Sequence, residues 1–290
     1  MIYLKLSLMA LFWGGAFVAG RSVSLVMGPF SASFLRFLMA SIILGCIILF
    51  KPSKSRLYLN WKMTGGLLLL GLTGIAIYNV FFFSGLRTVY AGRASAIITT
   101  NPILVMILSL IFYHEKISFS KITGIFLSVC GACVVIFKGQ IQLLLQGSVG
   151  IGELYILGCV VSWAIYSIMG KRILKTVSPL HAVFMATVFG VLFLFFPAIQ
   201  EGLFQHLSHI QWLTWIDLLY LALGATVLGF VWFYDGVQEI GPTKASQFVN
   251  FVPISAMILS ALFLHEPLTL SLLIGTFLVI IGVTITQYSQ

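Results

Sequence analysis

Two matching rows of residues carry the side chains best suited to contact a small solute. Each row has members four, three, four and three positions apart, which places them on one face of a helix. The rows are Ser95, Thr99, Pro102, Met106, Ser109 and Ser246, Asn250, Pro253, Met257, Ser260. Each proline leaves a carbonyl one turn earlier without its helical donor. We therefore expect both rows, with Asn101, to line a cavity hinged at Pro102 and Pro253; ordinary packing and bending of helices is the alternative.

Aromatic residues form a second paired set. When residues 1–140 are aligned with residues 151–290, Trp13 and Phe17 match positions 163 and 167. Further aromatic and amide groups lie deep within apolar segments. A buried indole N–H or phenol needs a hydrogen-bond partner. The expected cavity lining, suited to planar or amphipathic solutes, is Trp13, Phe17, Tyr78, Asn79, Trp163 and Tyr166, with lipid-facing packing as the alternative. The aromatic triplets 81–83 and 232–234 are expected to lie in interfacial belts instead.

Ionisable residues within apolar segments are functional candidates. Arg36 lies about six residues into an apolar segment long enough to span a membrane. Its side chain is therefore expected to reach the lipid headgroups at the end of that segment. Binding of an anionic group or pairing with Glu153 are the alternatives. Either Glu153 or Asp235 could carry a coupling proton, although ordinary solvation near a segment end is the simpler reading.

The sequence lacks the residue combinations of a catalytic or metal site. No His-Asp-Ser set, paired carboxylates or metal cluster occurs at membrane depth. Cys130 and Cys133 form a C-x-x-C within an apolar segment, where redox or zinc chemistry is not expected. We expect no enzyme, no catalytic residue, no metal and no cofactor. Glu115 and Glu266 are expected to face the N-termini of the fifth and tenth apolar segments, which Ser118 and Thr269 would cap.

The elements that carry these residues are apolar throughout. Hydrophobic residues make up 60% of the 290 residues and charged residues 8%, against about 25% charged in soluble domains. Continuous runs without period-two alternation favour helices over barrel strands. The sequence predicts an all-α integral membrane protein with ten transmembrane helices, each near the roughly 20 residues that span a bilayer. The predicted spans are 3–22, 30–50, 63–85, 93–113, 120–138, 151–170, 180–200, 213–236, 242–264 and 270–288.

The predicted spans form two copies of five within one membrane domain. Residues 1–140 recur about 150 positions later, with 141–150 as a connector and 151–290 as the second copy. Matched pairs include Trp13 with Trp163, Gly20 with Gly170, Pro29 with Pro179, Pro102 with Pro253 and His114 with His265. Because each copy has an odd number of spans, we predict two inverted five-helix repeats.

Positive charges indicate the orientation. With a cytoplasmic N-terminus, most Lys and Arg residues fall in cytoplasmic loops, which predicts that both termini are cytoplasmic. The loop after the second span carries four positive charges and its equivalent at 201–212 carries none, as expected if the two loops lie on opposite sides of the membrane. The loop after the third span and its equivalent do not show this difference. The net charge of +9 is spread over loops, so nucleic acid is not expected as a partner. Phe17 occupies the −3 position before Ala19, which favours a retained span over a cleaved signal peptide.

Inverted repeats are typical of alternating-access transporters, which bind their substrate near the midplane of the bilayer. The leading hypothesis is export of a small neutral or zwitterionic metabolite such as an amino acid. A passive conduit, a lipid flippase or a drug efflux permease are the alternatives. The expected partners are a small-molecule substrate and the lipid bilayer, with the protein a monomer or a homodimer.

A set of short motifs resembles the EamA-type transporters of the drug/metabolite transporter superfamily. They are Arg36-Phe37, Asn101-Pro102, Glu115-Lys116-Ile117-Ser118, Gly124, Gly131, Pro253, Glu266-Pro267-Leu268-Thr269, Gly275 and Gly282. The resemblance covers the whole chain and implies a multi-pass permease of the bacterial inner membrane, with a central cavity. The seven-residue spacing of each glycine pair also predicts close packing, of the fifth span against the tenth.

Overall fold

The computed structural model describes residues 1–50, 61–113, 118–140, 142, 149–174, 176–207, 210–240 and 248–288. Within these ranges the chain forms helices joined by short turns, and no β-strand. The first half contains α1 (Ile2–Val26), α2 (Pro29–Phe50), α3 (Trp61–Leu86), α4 (Ala91–Ile98), α5 (Asn101–Tyr113) and α6 (Phe119–Ile136). The second half contains α7 (Ile151–Ile173), α8 (Pro179–Gln200), α9 (Leu203–Leu207), α10 (212–240), α11 (Val252–Phe263) and α12 (Leu270–Tyr288).

Seven of the described helices are long and apolar enough to cross a membrane, namely α1, α2, α3, α6, α7, α8 and α10. Large apolar side chains also cover the outer surface, as Phe126 and Phe196 show with exposures of 69% and 64%. A surface so rich in exposed phenylalanine and leucine suits lipid rather than water.

The fourth predicted span is an interrupted helix, and the described part of the ninth begins with a short turn. In the fourth, α4 ends at Ile98 and α5 begins at Asn101, so the break lies directly before Pro102. In the ninth, a 3₁₀ turn (Phe248–Phe251) precedes α11, in which Pro253 is the second residue. In both places a proline lacks the N–H group that would donate to the preceding turn.

Helices α3 and α10 each contain a π-helical segment, at Gly71–Ile77 and Tyr220–Leu228. In the first, Gly71 lies so close to α8 that a β-carbon there would be 2.9 Å from the Ala186 carbonyl oxygen. The hydroxyl of Thr226 in the second donates to the Leu221 carbonyl at 2.9 Å. The π-helical geometry is rare and is frequently found at functional sites.

Glycine pairs bring α6 and α12 together in an antiparallel crossing. A β-carbon at Gly124 would be 2.6 Å from the Gly282 carbonyl oxygen, and one at Gly131 would be 2.6 Å from that of Gly275. Between them, the Ser128 hydroxyl donates to the Val279 carbonyl at 3.2 Å. The predicted glycine contact between the fifth and tenth spans is confirmed.

The remaining long helices pack around α1, α3, α7 and α10. Helix α1 packs against α10 and α11, α3 against α7, and α2 against α8. Phe83, Leu86 and Ile156 are fully buried where α3 meets α7. The interior between these helices contains the aromatic residues that the sequence analysis singled out.

Candidate functional site

Seven aromatic residues from α1, α3, α7 and α10 form one connected group, here called the aromatic cluster. Its members are Trp13, Phe17, Tyr78, Phe82, Trp163, Tyr166 and Phe230. Trp163 lies at its centre, with ring centroids 5.4 Å from Tyr78, 5.2 Å from Tyr166 and 6.3 Å from Phe230. These separations are typical of tilted and edge-to-face aromatic pairs.

Two further chains of contacts extend the cluster toward α1. Phe230 lies 5.5 Å from Trp13, and Phe82 lies 5.3 Å from Phe17 and 6.2 Å from Tyr78. The Trp13 indole N–H donates to the Ala225 carbonyl oxygen at 2.9 Å, so the partner expected for a buried indole is a backbone group of the π-helical segment of α10. The structure thus brings together all five predicted aromatic site residues.

Phe82 and Phe83 correct the prediction that residues 81–83 lie in an interfacial belt. Their exposures are 3% and 0%, so both rings are in the interior. In the second triplet, Trp232 stacks on Phe12 at 5.5 Å and Phe233 lies 5.6 Å from Trp13, while the side chain of Tyr234 lies outside the described residues. Phe230 was missed by sequence reasoning, because a single phenylalanine in an apolar span carries little sequence signal.

Arg36 lies in the interior, with 8% of its surface exposed. Its Nη1 donates to Asn79 Oδ1 at 3.1 Å, and its Nη2 and Nε lie 3.2 and 3.4 Å from Thr226 Oγ1. The prediction that Arg36 reaches the headgroups is therefore wrong. Pairing with Glu153 is also wrong, because Glu153 pairs with Arg93.

The two partners of Arg36 are themselves bonded to the π-helical segments. Asn79 Nδ2 donates to the Ile75 carbonyl at 2.9 Å, and Thr226 donates to Leu221. Because the Asn79 amide nitrogen is engaged in this way, its oxygen is directed at the guanidinium. Thr226 was not predicted, since a lone threonine in an apolar span carries little sequence signal.

The two rows of polar residues mostly bond within their own helices or to α12. Ser95 donates to the Gly92 carbonyl, Thr99 to the Ser95 carbonyl, and Asn250 to Thr284 Oγ1 at 3.3 Å. The described contacts do not join these three residues to the aromatic cluster. Ser246 and the side chains of Met106 and Ser109 lie outside the described residues.

Asn101 is the first residue of α5, at the break before Pro102. Its Oδ1 is buried, and it has no hydrogen-bond partner among the residues described. A buried carbonyl oxygen without a donor costs about 1–3 kcal/mol. This oxygen is thus an acceptor available to a ligand or a water.

Three glutamates occupy one end of the bundle, here called the glutamate end. Glu153 pairs with Arg93 at 2.9 Å. Glu266 accepts from the backbone N–H groups of Ala91 and Gly92 at 3.0 and 3.4 Å, with Arg21 3.9 Å away. The third, Glu201, accepts from the first N–H groups of α2.

Glu266 therefore faces the N-terminus of α4, and the prediction that it faces the tenth span is wrong. The negative carboxylate suits the positive helix end in either place, and only the packing of α4 beside the turn before α12 decides between them. Ser118 and Thr269 accept from Lys121 N and Leu272 N, which confirms both as N-caps. Glu115 lies outside the described residues.

A cavity of about 410 Å³ opens at the glutamate end. Its lining includes Thr88, Arg93, Ile136, Lys138, Gly150 and Glu153. At the opposite end, Asp235 pairs with Lys5 at 2.6 Å, with 38% of the Asp235 side chain exposed. In the described part of the chain, no three His, Cys, Asp or Glu side chains come together as a metal site would require.

Comparisons with known proteins show which family this chain resembles. The model of the EamA-like transporter family matches residues 1–137 and again residues 150–288. The chain is 30% identical to the uncharacterized transporter YyaM of Bacillus subtilis, over 97% of this chain and 92% of the relative. It is 28% identical to an uncharacterized transporter of Archaeoglobus fulgidus, over 98% and 97%. A crystal structure of a protein 18% identical aligns with a TM-score of 0.64 over 98% of this chain and 96% of the other, which shows a shared fold.

Proposed function

Because the chain belongs to the EamA-like transporter family, we propose that it is a secondary transporter that exports a small neutral or zwitterionic metabolite, such as an amino acid. The resemblance that the sequence motifs indicated is confirmed, and the chain is a multi-pass membrane transporter. Export proceeds by alternating access, with substrate bound at the aromatic cluster between the two halves of the chain.

Three observations support a ten-helix fold of two inverted repeats, 1–140 and 151–290. The family model matches the chain twice, at starting points about 150 residues apart. The π-helical segments Gly71–Ile77 and Tyr220–Leu228 occupy equivalent positions in the two copies. The antiparallel contact of α6 with α12 is reciprocal, as a two-fold axis in the membrane plane requires.

The composition of the aromatic cluster carries the proposal. It takes rings from α1 and α3 of the first copy and from α7 and α10 of the second, so it lies where the two copies meet. A site between two moving halves opens alternately to each side. Aromatic walls with a few polar groups suit amphipathic solutes and the side chains of amino acids.

The hinge and coupling residues follow from the same arrangement. Pro102 and Pro253 are each the second residue of their helices, where α5 and α11 can change direction with little loss of helical hydrogen bonding. The Asn101 oxygen next to Pro102, which has no partner among the described residues, provides a polar contact for substrate. Hydroxyl and amide groups on the fourth and ninth spans come from Ser95, Thr99, Ser246 and Asn250. Glu153 and Asp235 are the candidate sites of a coupling proton.

The proposed setting is the inner membrane of a bacterium, with both termini in the cytoplasm. The positive loops at 51–62 and 171–175 then face the cytoplasm, as the distribution of Lys and Arg requires. The protein works as a carrier without enzymatic chemistry or a cofactor. It acts as a monomer or a homodimer on a small-molecule substrate in the lipid bilayer, without nucleic acid.

Counterflow in proteoliposomes tests the proposal. Vesicles loaded with one unlabelled L-amino acid take up the same labelled compound transiently only when a carrier exchanges it. We expect saturable counterflow for at least one amino acid of a complete panel. Trp163→Ala removes the central ring of the cluster, so it should reduce that uptake about tenfold, if one aromatic contact is worth 1.5 kcal/mol.

A matched control replaces a tryptophan outside the site. Trp212 is 69% exposed at the start of α10, so Trp212→Ala should leave counterflow unchanged. The panel also includes cationic dyes and fluorescent lipids, which distinguish the alternatives. Counterflow of dyes alone identifies a drug efflux permease, and movement of lipid headgroups between leaflets without amino-acid exchange identifies a flippase; both results overturn the proposal.

A further inference from the structure

Arg36 is a buried cation for which the described part of the chain provides no carboxylate. The ion pairs there are Lys5 with Asp235, Arg21 with Glu266, and Arg93 with Glu153. Arg36 instead contacts the neutral Asn79 oxygen, the Thr226 hydroxyl and the Phe37 ring, whose centroid is 5.0 Å away. Buried charges are normally paired, because burying an unpaired charge is costly.

The guanidinium also retains hydrogen-bonding capacity. It has five N–H groups, and its described bonds use three of them, one to Asn79 and two to Thr226. Each terminal nitrogen thus keeps one N–H for a further acceptor. Two such groups on one guanidinium match the two oxygens of a carboxylate.

The position of Arg36 places this capacity beside the aromatic cluster. Its partner Asn79 directly follows Tyr78, whose ring lies 5.4 Å from Trp163. Its other partner Thr226 directly follows Ala225, whose carbonyl binds the Trp13 indole. Both partners of Arg36 therefore lie next in the chain to a residue that belongs to the cluster, Tyr78, or that accepts a hydrogen bond from it, Ala225.

We propose that Arg36 binds the carboxylate of the transported molecule, so that the substrate class is α-amino acids and related zwitterions. The inference rests on the proposed function and deepens it. Asn79 and Thr226 hold the guanidinium in place, and the electron-rich faces of Trp13, Trp163 and Tyr78 receive the ammonium group or an apolar side chain. Substrate then supplies the negative charge that the described residues around Arg36 lack.

The first test changes the substrate and leaves the protein intact. Counterflow of a ¹⁴C-labelled mixture of L-amino acids is measured at about pH 6, where α-amino groups are protonated. Unlabelled L-amino acids compete in one arm and their amides, which keep the ammonium but lack the carboxylate, compete in the other. We expect the amides to compete about thirtyfold more weakly, as loss of one partner of a buried charge pair predicts.

The second test changes Arg36. Arg36→Gln should reduce counterflow of the amino-acid mixture and remove the preference for acids over amides. Arg36→Lys keeps the charge without the planar fork and should retain part of the preference. The control Arg87→Gln removes an exposed arginine whose described hydrogen bond is to the Ser24 carbonyl, and should behave like the unchanged protein.

The outcomes separate the two proposals. If the unchanged protein shows no amino-acid counterflow, the proposed function is wrong and this inference falls with it. If counterflow occurs but the amides compete as well as the acids, the role of Arg36 is wrong and the proposed function stands. The same holds if well-folded Arg36→Gln, checked by size-exclusion chromatography, keeps the preference. Because the competition assay needs no variant, it can overturn the role of Arg36 even where Arg36→Gln does not fold, and Arg36→Lys then tests the residue itself.

Discussion

The Arg93 guanidinium lies 2.9 Å from the Glu153 carboxylate and ties α4 to α7 at the glutamate end. Only 13% of the Arg93 side chain and 11% of the Glu153 side chain are exposed. The pair also forms one wall of the 410 Å³ cavity. In the proposed topology this end faces away from the cytoplasm, so the pair joins the two repeats on that side.

The Arg93–Glu153 pair should contribute strongly to stability. Glu153→Gln leaves the Arg93 charge buried and without its counter-ion, which we expect to lower the free energy of unfolding by about 3 kcal/mol. Thermal unfolding of the purified protein, followed by tryptophan fluorescence, measures the change. Asp235→Asn is the control, because the Lys5–Asp235 pair is about one-third exposed and should cost under about 1 kcal/mol. Equal losses for both variants would contradict this account of burial.

The crossing of α6 and α12 should not tolerate even one added methyl group. Gly131→Ala places a β-carbon 2.6 Å from the Gly275 carbonyl oxygen and 2.8 Å from the Val279 nitrogen, both backbone atoms of α12. The helices must separate, and we expect a loss of about 1–3 kcal/mol in stability. The melting temperature of the purified protein reports it.

Gly65→Ala provides the matched control for that substitution. Gly65 lies within α3, and a β-carbon there would have no neighbour within 4 Å. The alanine should therefore raise stability by about 0.5–1 kcal/mol through its better helix propensity. A Gly131→Ala variant as stable as Gly65→Ala would show that the crossing is looser than the structure indicates.

The Asn101 side chain should support transport although its buried oxygen lowers the stability of the protein. Asn101→Ala removes a buried oxygen without a described partner, so we expect stability to be unchanged or higher by about 1 kcal/mol. Amino-acid counterflow should fall if this oxygen contacts substrate. Melting temperature and counterflow, measured on the same preparation, test both halves of the prediction. A variant that transports normally would remove Asn101 from the proposed site.

The hydrogen bond of Trp13 should support both the stability of the protein and the position of Arg36. Trp13→Phe keeps an aromatic ring but leaves the Ala225 carbonyl without its indole donor, at a cost of about 1 kcal/mol. Because Ala225 precedes Thr226, the loss also loosens the support of Arg36. We expect a lower melting temperature and a weaker preference for acids over amides. Phe12→Leu, which changes a neighbouring ring on α1 without a described side-chain hydrogen bond, is the control.

Sequence reasoning succeeded where the signal was local or periodic. Apolar runs predicted membrane-spanning helices, the seven-residue glycine spacing predicted the contact of α6 with α12, and Ser118 and Thr269 were correctly identified as N-caps. The predicted aromatic residues proved to be neighbours because each lies well inside its apolar segment, where a ring that faces the bundle meets rings of the adjacent helices.

The sequence by itself determined the helical membrane class, the family and most of the aromatic cluster, because each depends on composition and on spacing along single helices. Only the tertiary structure decided the partners of the charged residues. Arg36 binds Asn79 and Thr226, Glu153 binds Arg93, and Glu266 caps α4. Charged side chains buried in a membrane protein find their partners within the protein. Which partner is within reach depends on which helices are neighbours, and the sequence of a single helix does not specify its neighbours.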